Sequence, residues 1–247
     1  MKLLVLDTST EWCSAALWLD GAVRARRERA GQRHSSLILP MIDGLLAENG
    51  LRLADLDGIG YGAGPGSFTG LRIACAVTQG LAFGAGLPVA GVSTLESLAG
   101  QAGGQRVLRQ DRPEGERLAA CPSRVLTLLD ARMAEVYWAA YERTDTGWRT
   151  TVEPRLALPE SVYVPDGDGW IGAGNGFAVL DDALRAPIAV RLGRIEADLM
   201  PDAAAMAPLA AQAFTRGEGR DAAEAAPIYL RDKVALTVDE RRARQRI

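Results

Sequence analysis

One pattern occurs twice in this chain, and any fold must accommodate both copies. Leu4-Val5-Leu6-Asp7-Thr8-Ser9 leads through Glu11 into Cys13-Ser14-Ala15-Ala16-Leu17-Trp18. Roughly 120 residues later, Leu126-Thr127-Leu128-Leu129-Asp130-Ala131-Arg132 leads through Glu135 into Val136-Tyr137-Trp138-Ala139-Ala140-Tyr141. Each copy is an apolar strand ending in Asp, a short polar turn and a second strand. A third strand follows each, over 22–30 and 147–153. One such unit would mean little. Two at matched positions point to a duplicated βββ unit, one per half of the chain.

Between the copies the pattern alternates helix and strand. The spacing predicts a helix over 35–49 closed by Gly50, a buried strand over 58–62, a helix over 69–85 and a strand over 88–92. Ser93 caps a further helix to about Gly100, with Glu96 three residues on. The first half therefore reads βββαβαβα, a mixed sheet with helices on both faces. The second half reads similarly but more thinly, with a strand over 170–172 and helices over 176–184 and 202–216. The organisation is 1–100 for the first half, 101–124 for a Gly-, Gln- and Arg-rich linker or insertion, 125–230 for the second half and 231–247 for a basic tail. The last helix of the second half is a candidate to pack back on the first.

Charge and composition narrow the function. With 28 Lys and Arg against 31 Asp and Glu, the net charge of −3 excludes nucleic-acid binding by bulk charge. A single histidine, His34, leaves little room for His-based zinc chemistry, and any Ser–His–Asp or Cys–His mechanism would have to use it. Position 38, where a helical metal pair would want a second histidine, is Ile. Cys13, Cys75 and Cys121 are odd in number and widely spaced, which argues against a disulfide scaffold and for a reducing cytoplasm. The N-terminal apolar run is too short for a signal peptide, and 71–89 is too interrupted for a membrane span.

The densest chemical signal is Gly60-Tyr-Gly62-Ala-Gly64-Pro-Gly66-Ser67-Phe-Thr69-Gly70-Leu-Arg72. Glycines that leave a strand and open a helix can present backbone N–H groups to an anion. They also serve a tight turn that needs positive φ. The spacing is neither a P-loop nor GxGxxG, and it contains no G-x-S-x-G elbow. Asp7 and Asp130 end their strands where a carboxylate can hold Mg²⁺ near a phosphate, or can cap turn amides. Asp7, Gly64, Gly66, Ser67 and Thr69 thus form a candidate vestigial nucleotide or anion site.

Two helices suggest a different activity. Leu37, Ile38, Leu39, Met41, Ile42, Leu45 and Leu46 cover about 200° of the first helix, about twice the stripe one core requires. Pro40 sits awkwardly within it. The second helix carries Ala76, Gly80 and Gly84 at i, i+4 and i+8, and glycine costs about 0.5–1 kcal/mol in mid-helix unless a close neighbour offsets it. Leu37, Met41, Leu45, Arg72, Ala76 and Gly80 are therefore candidates for a helix–helix partner surface, with deep burial in one larger core as the alternative.

These residues fall into runs that resemble a known family. Asp7-Thr-Ser-Thr10, His34-Ser-Ser36, Leu39-Pro-Met41, Gly64-Pro-Gly-Ser-Phe-Thr-Gly-Leu-Arg72, Gly80-Leu-Ala-Phe83, Gly91-Val-Ser-Thr-Leu-Glu96, Leu129-Asp-Ala-Arg-Met133, Glu135-Val-Tyr137 and Tyr229-Leu-Arg-Asp232 are similar to those of the bacterial tRNA threonylcarbamoyladenosine biosynthesis proteins of the TsaB (YeaZ) family. The resemblance covers nearly the whole chain. It implies an α/β chain of the actin-like, sugar-kinase-like ATPase fold, with two ribonuclease H-like halves. It also implies a role in forming threonylcarbamoyladenosine on the adenosine beside the anticodon of tRNA. The expected partners are a catalytic paralogue, TsaD, which carries metal-binding histidines and takes the threonylcarbamoyl group from an adenylate, and an ATPase, TsaE. The implied role here is a scaffold pairing with TsaD through the two helices and forming homodimers alone, with tRNA met only through the complex. No catalytic or metal-binding residue carries over, and no cofactor is required by this chain itself, with ATP and Mg²⁺ entering at the level of the complex. A small-molecule kinase of the same fold is the alternative, and would use Asp7, the Gly64–Gly66 turn and Gly172-Ala-Gly174-Asn-Gly176. A peptidase is a third reading, which the single histidine disfavours.

Overall fold

The computed structural model describes residues 1–104 and 122–231. The first half runs β1 (Lys2–Asp7), β2 (Trp12–Leu19), β3 (Ala22–Arg29), α1 (His34–Glu48), β4 (Gly58–Gly64), α2 (Phe68–Ala85), β5 (Val89–Ser93) and α3 (Thr94–Ala102). The second runs β6 (Arg124–Arg132), β7 (Glu135–Thr144), β8 (Gly147–Ala157), β9 (Trp170–Ala173), α4 (Asp182–Arg191), β10 (Leu192–Glu196) and α5 (Ala203–Thr215). The sheets are ordered β3-β2-β1-β4-β5 and β8-β7-β6-β9-β10, so the strand order is repeated. In each, the second strand is antiparallel to the first and the fourth is parallel to it. This is the duplicated, ribonuclease H-like arrangement of the actin-like ATPase fold.

The second half departs from the first in its coverings. Where the first half places α1, the chain from Leu158 to Gly169 makes only a 3₁₀ turn at Pro159–Ser161. Pro159, Pro165 and the positive-φ glycines Gly167 and Gly169 break helix formation there. The helix expected over 176–184 is instead a 3₁₀ turn at Asn175–Ala178 followed by α4, because Asp181 Oδ1 accepts from Leu184 N–H at 2.9 Å and starts the helix later. The edge strand β10 escapes the sequence reading, being short and half-polar. Within the expected 101–124 linker, 101–102 close α3 and β6 begins at Arg124, while 105–121, with Cys121, lie outside the described residues, as does the tail beyond Arg231. Cys13 and Cys75 are buried free thiols.

Two helices cross between the halves. The first sheet packs Leu4, Leu6, Ile59 and Tyr61 against α1 and α2 on one face. Its other face packs Leu3, Val5 and Val92 against α5, whose residues follow the second sheet in the chain. Strand β4 makes this close approach feasible: an added Cβ would meet Phe214 at Gly58, Ala210 at Gly60, and Asp7 and Met206 at Gly62. The alternating glycines thus form a smooth face for the alanine-rich α5. Conversely, Leu95, Leu98, Ala99 and Ala102 of α3 pack on Val125, Leu129 and Tyr141 of the second sheet. Ser93 Oγ caps α3 by accepting from Glu96 N–H at 3.3 Å. No described helix is long and apolar enough to cross a membrane.

Candidate functional site

The β1–β2 turn is locked against the start of α2. Ser67 N–H donates to Ser9 O at 2.7 Å, and Thr8 Oγ1 donates to Gly70 O at 2.7 Å. A Cβ on Gly66 would press on the Ser9 backbone, and one on Gly70 would overlap Thr8 O. Gly64, at φ +119°, takes a conformation that favours glycine. The Gly64–Gly70 run is therefore read by the fold as a close-packed turn, and the Ser67 amide, one of the candidate anion donors, already serves Ser9. Ser67 and Thr69 do line the cleft between the halves.

Asp7 lies apart from the cleft-lining members of the candidate anion site, Gly66, Ser67 and Thr69. It is fully buried, Ser9 N–H and Oγ–H donate to its two carboxylate oxygens at 3.3 and 3.0 Å, and it does not face the cleft. Burial, against the Ser9 hydrogen bonds and the Arg27 charge, raises its pKa to about 6. Asp130 does line the cleft, yet its Oδ1 accepts from Arg132 N–H at 2.7 Å and its Oδ2 pairs with Arg132 Nη1 at 3.1 Å. The cleft holds about 780 Å³ and much of its wall is Leu71, Ile73, Leu129, Met133, Met200 and Ile228. One Asp withdrawn into the core and the other engaged by its own turn do not fit a Mg²⁺-bound nucleotide. His34 starts α1 and its Nε2 lies 2.8 Å from Thr10 O. Among the described residues, no group of three or more His, Cys, Asp or Glu is placed to hold a metal ion.

The helical candidates separate into two sets. Met41 and Leu45 are buried in the core of the first half with Ile38, Ile42 and Leu46. They are corrected here from partner surface to core: the α1 stripe turned inward is 38-41-42-45-46, at the i, i+3, i+4 spacing of one buried face. Leu37 is half-buried, and Leu39, which the candidate set omits, is 44% exposed. The other set lies on the outside. Arg72, Ala76 and Gly80 are exposed along α2, followed by Phe83 at 83% exposure. Nothing lies within 4 Å of a Cβ built on Gly80 or Gly84. No neighbour within the described chain therefore offsets the helix cost of these glycines.

Sequence and structure comparisons place this geometry. A family model described as TsaD, tRNA N6-adenosine threonylcarbamoyltransferase, matches residues 27–237. The tRNA threonylcarbamoyladenosine biosynthesis protein TsaB of Escherichia coli K12 is 39% identical over 241 residues, covering 95% of this chain and 96% of that protein. Its namesake in Haemophilus influenzae is 35% identical, with 95% of each covered. The chain belongs to the TsaB family. The solved structure of YeaZ from Pseudomonas aeruginosa superposes with a TM-score of 0.80 at 39% identity, covering 93% of this chain and 99% of that one. TsaB membership places the chain in tRNA threonylcarbamoyladenosine biosynthesis. Asp130, Arg132 and Arg231 in the cleft wall are engaged within the chain, whereas the α2 face leaves apolar surface open.

Proposed function

We propose that this chain is a non-catalytic scaffold subunit for threonylcarbamoyladenosine formation at the adenosine next to the anticodon of tRNA. It acts in the cytoplasm and pairs with a TsaD-like catalytic subunit through the outer face of α1 and α2. A TsaE-like ATPase joins the pair, tRNA is met through the complex, and the chain alone forms a homodimer on the same face. The observation that carries this reading is the open stripe of Arg72, Ala76, Gly80 and Gly84 with Phe83 standing out beside it. Small residues allow a second helix to approach, and an exposed aromatic supplies an anchor. The family membership supports a partner from the same pathway. The buried Asp7 weighs against the kinase alternative.

Reconstitution of tRNA modification tests the proposal. Omission of the chain should abolish product. Ala76→Arg should leave the monomer folded, because the site is exposed, yet abolish co-purification with the TsaD-like subunit, because a charge buried without a partner in an interface is strongly unfavourable. Retained co-purification would move the interface elsewhere. Threonylcarbamoyl transfer or ATP turnover by the chain alone would overturn the scaffold reading.

A further inference from the structure

A strap follows the last helix. From a 3₁₀ turn at Ala222–Glu224 it runs beside α2 and crosses the cleft mouth to the second half. Along the first half it is pinned at four places. Gln79 Nε2 donates to Ala225 O at 3.0 Å, Ala226 N–H donates to the Tyr61 hydroxyl at 2.9 Å, and Ile228 N–H donates to Ala63 O at 2.7 Å. Arg72, on the open stripe of α2, donates from Nε to the Tyr229 hydroxyl at 3.0 Å and stacks over Phe68 at 3.8 Å, while Phe68 and Tyr229 lie 5.5 Å apart.

The far end of the strap meets a strained turn. Arg132, Met133 and Ala134 join β6 to β7 with φ of 62°, 58° and 59°, three successive non-glycine residues in the left-handed region. Such backbone persists only where its surroundings over-determine it. Asp130 holds the Arg132 amide from within the turn, and Arg231 adds a constraint from outside it. Arg231 Nη2 donates to Ala131 O at 3.0 Å, and its Nη1 lies 2.5 Å from Glu135 Oε2 and 3.6 Å from Met133 Sδ. The Arg231 and Glu135 side chains are 15% and 25% exposed, so the pair is largely shielded from solvent. The turn it holds leaves Arg132 and Met133 exposed on the wall of the cleft that Ile228 and Tyr229 also line.

We infer that Arg231 is a latch that makes the α2 stripe and the β6–β7 turn one composite docking surface for the same partner. The inference rests on the α2 face being the partner face. It extends that face to the second half through the chain of contacts Arg72, Tyr229, Arg231 and the turn. A partner seated on α2 then meets Arg132 and Met133 in a conformation the strap has fixed in advance, so less ordering is required on binding.

Hydrogen exchange on the full chain separates latch, surface and partner. Without the partner, Arg231→Ala should speed exchange of the 132–136 amides about tenfold, since local opening is governed by the contacts that hold a segment closed. Exchange in β1 and α5 should be unchanged. Glu135→Gln, which keeps the bonds to the turn carbonyl, should show the same effect more weakly. Unchanged turn exchange in a folded Arg231→Ala variant overturns the latch. At a concentration where the chain alone is monomeric, addition of the TsaD-like subunit should protect the wild type on both α2 and the turn, and Arg231→Ala on α2 alone. Wild-type protection confined to α2 overturns the composite surface while the partner reading stands. Protection nowhere removes the partner reading and the composite surface together, and the comparison of free chains still decides the latch.

Discussion

Asp7 and Asp130 both lie near the end of the first strand in sheets of identical strand order, each accepting from the amide two residues on. Strand alternation nevertheless puts them on opposite faces, Asp7 with Leu3 and Val5 and Asp130 with Leu126 and Leu128. Their surroundings differ completely. Asp7 is sealed beneath α5, which the second half sends across, whereas Asp130 remains in the cleft wall. The coverings differ in the same sense. The first sheet has α1 and α2 side by side on its outer face, and the second has a proline- and glycine-interrupted segment and the short α4. The turns differ too: the first is packed against glycines at the start of α2, while the second holds three left-handed non-glycine residues under Arg231. Duplication of a sheet therefore does not duplicate a site. The same strand order carries an exposed helical stripe on one half and a turn bonded to Arg231 on the other.

The contrast is tested most severely in the outer cores. Leu45→Ala should cost about 2–5 kcal/mol in urea unfolding, because Leu45 is core despite its place on a candidate partner helix. Val190→Arg on α4, at 87% exposure, should stay within about 0.5 kcal/mol of wild type. A small effect at Leu45 would return that face of α1 to the interface.

A pH series on Asp7 gives the next effect. Its folded pKa is raised to about 6 from 3.8, so between these values the native state binds the proton more tightly than the unfolded chain does. Stability is therefore lost as pH rises through this window, by about 3 kcal/mol in all, and the loss is complete above pH 6. Asp7→Asn removes this contribution. The wild-type-minus-variant stability should fall from about pH 4 to pH 6 and then level. A difference that stays flat across that range would show that Asp7 is better solvated than its burial indicates.

The smallest effect concerns the open glycines. Gly80→Ala should stabilise the free monomer by about 0.5–1 kcal/mol, since the added methyl meets nothing and the helix loses a flexible residue. Unchanged or lowered melting of the monomer would mean that this part of α2 is already covered.

Much of the first half was legible from its residues. The strand–Asp–turn repeat, the glycine stop at 50 and the Ser93 cap lie within reach of local chemistry, and the elements follow them closely. The second half was harder to read. Its covering segment from Leu158 to Gly169 buries Val162 and Val164 without a helix period, and β10 is too short and polar to stand out. For the candidate surface, periodicity showed that α1 is apolar over too wide an arc. It could not say that Met41 and Leu45 face inward and Leu39 outward, because that depends on where the sheet lies. Arg231 and Glu135 fall within runs that resemble the family, but at 96 positions apart nothing local indicated that they pair with each other.

The sequence by itself determined the duplicated sheet and the family, because strand alternation, caps and turn glycines act between residues a few positions apart. Only the tertiary structure decided that α5 and α3 trade places between the sheets, that Asp7 is buried while Asp130 is not, and which side of α2 stays open. Those outcomes depend on long-range packing, where the smooth glycine face of β4 admits an alanine-rich helix from the other half and removes a carboxylate from water.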